Sequence, residues 1–218
     1  MMREELFTGL VGDVLDKMGY RNQFLPPEIK PLDPAMVVVG KAMTVLEADV
    51  YTEELEQMGD AVARKPFGLM FRALDDLKPG EVYICSGSSP RYALWGGLMS
   101  TRAIRCGAAG AVLNGYSRDT NEILRLGFPT SSFGGYAQDQ GVRGKVIDFR
   151  VPIEAGRVRI RPGDIIFGDR DGVLAIPGEM KDEALEAAFE KARGEKNVLK
   201  ALQQGMSSSE AFDTFGIM

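Results

Sequence analysis

The pattern of hydrophobic and polar positions begins with a helical period. Apolar residues recur at four-residue steps from Leu6 to Met18, which predicts an amphipathic helix over residues 4–18 that ends at Gly19. Apolar residues, many of them β-branched, then fill positions 36–46, interrupted by Gly40. This run predicts one bent strand or two short ones.

Strand-like and helical patterns alternate through the middle of the chain. The predicted elements are a helix over 67–77, a strand over 82–85, a helix over 93–106, a strand over 111–113, a short helix from Asp119 and a strand over 130–133. Units of this length predict a parallel sheet with right-handed crossovers. Loops at the carboxyl ends of neighbouring parallel strands face one crevice, so residues 86–97 and 114–119 should meet.

The C-terminal half changes to short strands separated by Gly, Pro and Asp turns. Strands are predicted at 146–149, 158–160, 165–167 and 173–176, as antiparallel structure closing against the first half. A long charged helix follows over 181–202, and Ser208 or Ser209 is the candidate cap of a last helix that ends at Gly216. With 218 residues, we expect one α/β domain over 1–218, whose C-terminal helices from about 181 pack on it or on a neighbouring subunit.

The composition of the chain restricts the classes of partner that the protein is expected to bind. The net charge of −5 argues against nucleic-acid binding, and the alternating Arg157, Arg159 and Arg161 are expected to form a solvated strand face. Two cysteines, Cys85 and Cys106, lie in apolar segments, and the N-terminus does not resemble a signal peptide, so a reduced, cytoplasmic setting is expected. No apolar run reaches membrane-spanning length, so no membrane partner is expected.

Histidine is absent from the chain, which removes a large block of chemistry. Nucleophile pairs that depend on histidine and zinc sites built on imidazole are excluded. Proton transfer must then use carboxylates, tyrosine, lysine, a thiol or a metal-bound water. Tyr92, Tyr116 and Tyr136 are candidate donors, although aromatic packing is the favoured role for each.

The segment from Trp95 to Glu122 holds the strongest candidate site. Gly96 and Gly97 precede a predicted helix, whose first N–H groups and dipole suit a carboxylate or phosphate. Arg118 adds a fork of donors for the same anion, and Asp119 adds a hard oxygen ligand for Mg²⁺ or Mn²⁺. The segment therefore predicts metal-assisted chemistry on a small oxo-acid.

Structural alternatives stand beside this interpretation. A glycine pair alone favours close helix packing, and Asp119 with Glu122 has the spacing of a helix capping box. The glycine-rich segments lack the spacing of dinucleotide or P-loop motifs. Two further acidic groups are interpreted as a solvated face and as turn residues. The first comprises Glu47, Asp49, Glu53, Glu54, Glu56 and Asp60, and the second comprises Asp164, Asp169 and Asp171.

Three motifs in order, WGGLMSTRA, GAAGAVLNGYSRDTNE and FGDRDGVLAIP, resemble one superfamily. It is the one shared by the regulator of ribonuclease activity A and the class II pyruvate aldolases, which cleave 4-hydroxy-4-methyl-2-oxoglutarate or 4-carboxy-4-hydroxy-2-oxoadipate and commonly decarboxylate oxaloacetate. The resemblance covers most of the chain. It implies an αββα, swivelling-domain-like sandwich, assembled as a homo-oligomer, either a trimer or a dimer of trimers, with active sites between subunits.

The resemblance also implies roles for residues. The backbone of Gly96, Gly97, Leu98 and Met99 is implied to bind the substrate carboxylate, Arg118 the pyruvoyl oxygens, and Asp119 the Mg²⁺ or Mn²⁺ ion. Glu195, in the stretch KARGEK, resembles an acid that reaches the metal waters from the adjacent subunit; a solvated helix residue is the alternative.

This sequence departs from the family pattern at two positions. The family pattern is an acidic residue, twenty further residues and then Arg-Asp, but Gly97 occupies the position of the acid. Asn114 also stands where many relatives have Asp.

The leading hypothesis is a metal-dependent lyase that forms pyruvate from a 2-oxo or hydroxy dicarboxylic acid, with Glu122 or Glu195 positioning a water. A non-catalytic trimer that inhibits an RNA-processing enzyme and an enzyme for another oxo-acid remain alternatives.

Overall fold

The computed structural model describes residues 2–51 and 65–217. The helices are α1 (Met2–Glu5), α2 (Thr8–Lys17), α3 (Met70–Asp75), α4 (Gly97–Arg105), α5 (Thr120–Leu126), α6 (Lys181–Gln203) and α7 (Ser208–Phe215). The strands are β1 (Lys30–Pro31), β2 (Val38–Asp49), β3 (Glu81–Ser86), β4 (Ala93–Trp95), β5 (Gly110–Leu113), β6 (Tyr116–Ser117), β7 (Thr130–Ser132), β8 (Gly144–Phe149), β9 (Ile153–Ala155), β10 (Val158–Ile160), β11 (Ile165–Gly168) and β12 (Val173–Ile176).

One mixed sheet of eight strands forms the centre of the fold. Its order is β1-β7-β5-β3-β2-β11-β12, with β8 also paired to β2. Strands β2, β3, β5 and β7 are mutually parallel, as the alternation of strands and helices predicted. Strands β8, β11 and β12 are antiparallel, which confirms the predicted change of character in the C-terminal half. The long β2 pairs with β11 through its first part and with β8 through its last part.

Both faces of the sheet are covered, and the two-residue period of the strands decides which side chain enters which core. In β3, Tyr83 and Cys85 face α3, α4 and α5, whereas Val82 and Ile84 face the small hairpin β9-β10. A third cluster packs α2 and α6 on β11 and β12. The result is a layered α/β sandwich, as expected, and it fixes the carboxyl ends of β3 and β5 at one edge.

Several predicted boundaries were wrong, for identifiable reasons. Residues 93–95 form β4, because they pair with β6, and α4 begins only at Gly97. Helix α3 begins at Met70 because Phe67 and Gly68 have positive φ angles of 59° and 61°. The cap of α7 is Ser207, which forms a capping box with Glu210. Strands β1, β4, β6 and β9 are too short to leave a period in the sequence.

The solvated-face interpretation of the acidic stretch was wrong for Glu47. This residue lies in β2, beside a shift in register at Leu46, and its side chain is buried. Asp49, at the end of the same strand, accepts hydrogen bonds from Tyr92 Oη and Ser89 N. Residues Glu53, Glu54, Glu56 and Asp60 lie outside the described residues. Asp164 and Asp169 accept backbone hydrogen bonds in turns, as expected.

The charged and apolar surfaces otherwise lie where the sequence predicted them. Arg157, Arg159 and Arg161 are all exposed, around β10. Helix α6 lays Ala184, Ala188 and other small residues against α2. In the part of the chain that the structure describes, no helix combines the length and the apolar character needed to cross a membrane.

Candidate active site

The candidate site is built where β4 enters α4. Gly96 is extended, with φ −153° and ψ −177°, a conformation open to any residue, so its lack of a side chain must be explained by space. A Cβ on Gly96 would lie 2.7 Å from Asp119 Oδ2, and one on Gly97 would lie 2.8 Å from Glu122 Cγ. The glycine pair therefore allows the start of α4 to approach the carboxylate of Asp119 closely.

Strand β6 delivers Asp119 to this position. It runs parallel to β4, and Arg118 N donates to Trp95 O at 2.8 Å, so the next residue emerges beside the start of α4. Asp119 has a left-handed backbone, with φ 57° and ψ 36°, which is uncommon outside glycine and is often found at functional sites. Its Oδ2 accepts a hydrogen bond from Gly97 N at 3.1 Å. The predicted meeting of the two loops is confirmed here, and also by Asn114 Nδ2, which donates to Ser86 Oγ at 2.9 Å.

The capping-box alternative for Asp119 and Glu122 was wrong. Asp119 is the N-cap residue of α5, but its side chain makes no capping hydrogen bond to that helix. The left-handed backbone turns the carboxylate away from α5 and toward α4. Asp119 therefore stabilises the N-terminus of a different helix, and in the described chain no group donates to its Oδ1.

Arg118 is held by an aspartate that the sequence analysis missed. Arg118 Nη1 lies 2.7 Å from Asp139 Oδ1, and its Nε lies 4.0 Å from Asp119 Oδ2. Asp139 is itself fixed, because its Oδ2 accepts a hydrogen bond from Gly141 N at 2.8 Å. No periodicity marks the loop of Asp139, and the only signal was the turn-forming sequence Asp-Gln-Gly. The guanidinium thus faces the site with its orientation set from a third segment.

The start of α4 supplies further donors. Ser100 N bonds to Gly96 O, so the N–H groups of Leu98 and Met99 lie before the first intrahelical bond. Among the described residues, neither N–H group has an acceptor. Together with Arg118 they form a cationic and dipolar surface that suits a carboxylate.

A cavity of about 410 Å³ opens from these groups. Gly96, Leu98, Met99, Arg118 and Asp119 line one part of it. A neighbouring cavity of about 490 Å³ lies between α4 and α5, is lined by Gly97, and shares Leu98 and Asp119 with the first. A larger one of about 660 Å³, beside the predicted proton donors Tyr92, Tyr116 and Tyr136, includes neither Arg118 nor Asp119. The cavity of about 410 Å³ is the candidate active site because it holds both the anion donors and the carboxylate of Asp119, although it is not the largest of the three.

The two glutamates of the sequence hypothesis lie in different places. Glu122, on α5, lines the cavity of about 490 Å³ and pairs with Arg125, with 2.5 Å between Oε2 and Nη2. Glu195 lies on α6, where its Oε1 is 3.1 Å from Lys191 Nζ. Lys191 Nζ also contacts Asp13 of α2, so within this chain Glu195 belongs to the α2-α6 contact. The structure therefore brings Glu122, and not Glu195, to Asp119.

A buried carboxyl group lies behind the cavity wall. Gln140 lines the cavity, and its Nε2 donates to Glu47 Oε2 at 2.7 Å. Burial raises the pKa of Glu47 to about 8, against the opposing effect of the hydrogen bond from Gln140. Glu47 in turn contributes to the raised pKa values of Tyr83 and Cys85, which burial raises most. Glu47 is therefore largely protonated at neutral pH.

The donors present suit a hard divalent cation of the magnesium type. The described residues contain no group of three acidic or thiol side chains around one point, as an all-protein cage would require. Mg²⁺ usually takes one or two carboxylates and fills its other positions with water and substrate oxygens. Asp119 provides one such carboxylate in the half-exposed space that the absent Cβ of Gly96 leaves free.

The fold and this arrangement define a class: layered α/β proteins that place an Arg-Asp pair against a glycine-led helix N-terminus. Within that class the chain belongs to the RraA-like family, described as Aldolase/RraA, whose profile matches residues 8–175.

Individual proteins are similar to this chain in sequence or in fold. A protein of Halalkalibacterium halodurans, provisionally named 4-hydroxy-4-methyl-2-oxoglutarate aldolase, is 31% identical over 94% of this chain and 89% of its own length. A solved structure described as novel cellulases from microbes of the gut ecosystem is 31% identical, with a TM-score of 0.79 over 90% of this chain and 85% of that one. RraAS2 of Streptomyces coelicolor, described as an unusual member of the RNase ES inhibitor RraA family, has a TM-score of 0.75 at 22% identity, over 89% of this chain and 92% of its own.

Proposed function

We propose that this protein is a lyase that depends on Mg²⁺ or Mn²⁺ and breaks a C–C bond in a 2-oxo acid to release pyruvate. The observation that carries the proposal is the convergence of Arg118, Asp119 and the start of α4 on one cavity. The name of the Halalkalibacterium halodurans relative supports the same reaction class. Oxo-acids with a hydroxyl group at C4 and oxaloacetate are the substrates to test first.

The chain's residues would bind the pyruvoyl unit at its charged end. The N–H groups of Leu98 and Met99 and the guanidinium of Arg118 donate to the carboxylate and the 2-oxo oxygen. Asp139 keeps Arg118 in this orientation through their 2.7 Å contact. Asp119 would hold the divalent ion, which when bound supplies Lewis-acid polarisation of the 2-oxo group.

The reaction balances without a redox partner. In the retro-aldol direction the 4-hydroxyl group loses its proton, the C3–C4 bond breaks, and its electron pair becomes the C2–C3 double bond of the pyruvate enolate. A proton delivered to C3 completes pyruvate, and C4 leaves as a carbonyl compound. With oxaloacetate the same bond breaks and carbon dioxide leaves. Arg118 stabilises the charge that develops on the enolate oxygen in both reactions.

Glu122 is the acid placed to hold a water for the proton transfers. Its side chain fills the space that a Cβ on Gly97 would need, and it lines a cavity with Asp119. The acid of the family pattern is absent because position 97 is a glycine. Glu122 is the acid whose side chain lies beside that position. Glu195 would serve only from a neighbouring subunit, because in its own chain it belongs to α6.

Assembly as a homo-oligomer is part of the proposal. Leu98 stands at the mouth of the cavity with 87% of its surface exposed, and Phe71 on α3 is also exposed. Large apolar side chains beside a site commonly mark a subunit contact. A neighbouring copy on this face would close the cavity to water, as a trimer or a dimer of trimers allows.

The test is pyruvate release by the purified protein from oxaloacetate and from 4-hydroxy-4-methyl-2-oxoglutarate, with Mg²⁺ or with EDTA. We expect chelator-sensitive turnover that Asp119→Ala abolishes. The matched control is Asp213→Ala, at an exposed aspartate of α7, which should retain full activity. Full activity of Asp119→Ala would overturn the mechanism.

A non-catalytic role keeps one specific observation in its favour, which is Gly97 at the position of the family acid. The two functions separate in a thermal unfolding experiment with Mg²⁺ and pyruvate. An enzyme of the proposed kind should be stabilised by the pair of ligands, since they bind the folded state. No shift and no turnover would favour a module that acts by binding another protein.

A further inference from the structure

We propose that the site selects 2-oxo acids whose substituent beyond the pyruvoyl unit is apolar, an alkyl or aryl group, instead of a second carboxylate. The inference rests on the proposed function, because it names the substrate class of the same site. It differs from the dicarboxylic substrate that the sequence led us to expect.

The cavity has one polar end and one apolar wall. Arg118 and Asp119 lie at the polar end, where the pyruvoyl unit is expected. The apolar wall comes from the turn before α3, from α3 itself and from the start of α4, whose backbone N–H groups also belong to the polar end. Its side chains are Phe67, Met70, Phe71, Leu74, Leu98 and Met99. A substituent at C4 of a bound substrate would therefore leave the polar end and enter a space lined by aromatic, thioether and aliphatic groups.

Within this chain, both cations that line the described cavity are already paired with an aspartate. Among its described lining residues the cations are Arg102 and Arg118. Arg102 Nε is 2.8 Å from Asp75 Oδ1, and Arg118 is already engaged by Asp139 and by the pyruvoyl unit. A distal carboxylate that binds Arg102 would lie beside the negative charge of Asp75, which like-charge repulsion opposes.

An apolar substituent on the substrate would gain binding affinity from contact with the same wall. Burial of a methylene group contributes roughly a fourfold increase in affinity, from about 0.8 kcal/mol for each group. A volume of about 410 Å³ lies within the range of roughly 300–1,000 Å³ of sites that enclose a small organic ligand. The cavity therefore has room for a phenyl ring beyond the three carbons of pyruvate.

The first experiment compares three substrates that share the 4-hydroxy-2-oxo acid unit. They are 4-hydroxy-2-oxoglutarate, 4-hydroxy-2-oxopentanoate and 4-hydroxy-2-oxo-4-phenylbutanoate, which carry a carboxylate, a methyl and a phenyl group. With Mg²⁺ present, we expect kcat/KM for the phenyl compound to exceed that for the carboxylate compound by at least tenfold. An equal or higher kcat/KM for the carboxylate compound would overturn the inference.

Two variants change the wall in a predictable direction. Asp75→Asn frees Arg102 and should raise kcat/KM for the carboxylate substrate at least fivefold relative to the phenyl substrate. Phe71→Lys places a new cation on the wall and should shift the ratio in the same direction. Phe212→Lys is the matched control, since Phe212 on α7 is exposed to 56% and Phe71 to 57%. An unchanged ratio in both wall variants would contradict the inference.

A binding measurement separates this inference from the proposed function. Calorimetric titration with phenylpyruvate and with 2-oxoglutarate, both with Mg²⁺, requires no turnover. If no substrate is cleaved but phenylpyruvate binds at least tenfold more tightly, the proposed lyase fails and the selectivity of the cavity stands. If the dicarboxylate is cleaved preferentially, the lyase stands and the inference fails. If neither compound binds, the inference fails as well.

Discussion

Glu47→Gln should make the protein more stable at neutral and alkaline pH. The side chain of Glu47 is 1% exposed, and its pKa is raised from 4.5 to about 8, chiefly by burial. A glutamine keeps the shape and the hydrogen bond from Gln140 Nε2, but it cannot ionise. Its NH2 group would replace Glu47 Oε1, which has no hydrogen-bond partner in the described chain, so the cost of burying an unpaired N–H group opposes the gain.

The magnitude follows from proton linkage. Folded protein keeps the Glu47 proton between pH 4.5 and about 8, whereas the unfolded chain has released it. The stabilising contribution of the protonated group is therefore complete below pH 4.5 and is lost as the pH rises toward 8. At about 1.4 kcal/mol for each pH unit, the loss reaches about 3 kcal/mol at neutral pH. The glutamine variant lacks this loss.

The assay is urea unfolding of wild type and Glu47→Gln at several pH values between about 5 and about 8. The free energy of unfolding of the variant should exceed that of wild type by about 1–3 kcal/mol at the upper end, after the cost of placing the amide. The difference should vanish or reverse near pH 5, where ionisation of Glu47 costs the wild type little and the cost of the amide remains. Glu154→Gln, at an exposed position of β9, should show no such trend. Parallel pH profiles for wild type and Glu47→Gln would refute the reasoning.

Three further predictions concern the site and the core. Gly96→Ala places a Cβ 2.7 Å from Asp119 Oδ2 and should weaken Mg²⁺ binding, measured by calorimetry, at least tenfold. Asp139→Asn removes the charge that orients Arg118 and should raise KM for oxaloacetate more than it lowers kcat; an unchanged KM would argue against that role. Leu113→Ala creates a cavity in β5, where the side chain is fully buried, and should cost about 2–5 kcal/mol in denaturant unfolding.

The sequence by itself determined the parallel centre of the fold and the region of the site. Short apolar runs separated by helical patterns imply β2, β3, β5 and β7, because a strand and a helix leave different local periods. Chain direction then brings the loops after β3 and β5 to one edge. Gly97 and Asp119 meet there as predicted, since both lie at the carboxyl side of that edge.

The tertiary structure decided which groups surround that meeting point. Asp139 reaches Arg118 from a loop without periodicity, and the left-handed backbone of Asp119 comes two residues after Ser117, the end of the strand β6 that pairs with β4. Burial of Glu47 depends on the packing of β8 and Gln140 against β2. The apolar wall requires α3 to lie beside α4. These features depend on contacts between distant segments, and the local pattern of a sequence records the face of each segment but not its neighbour.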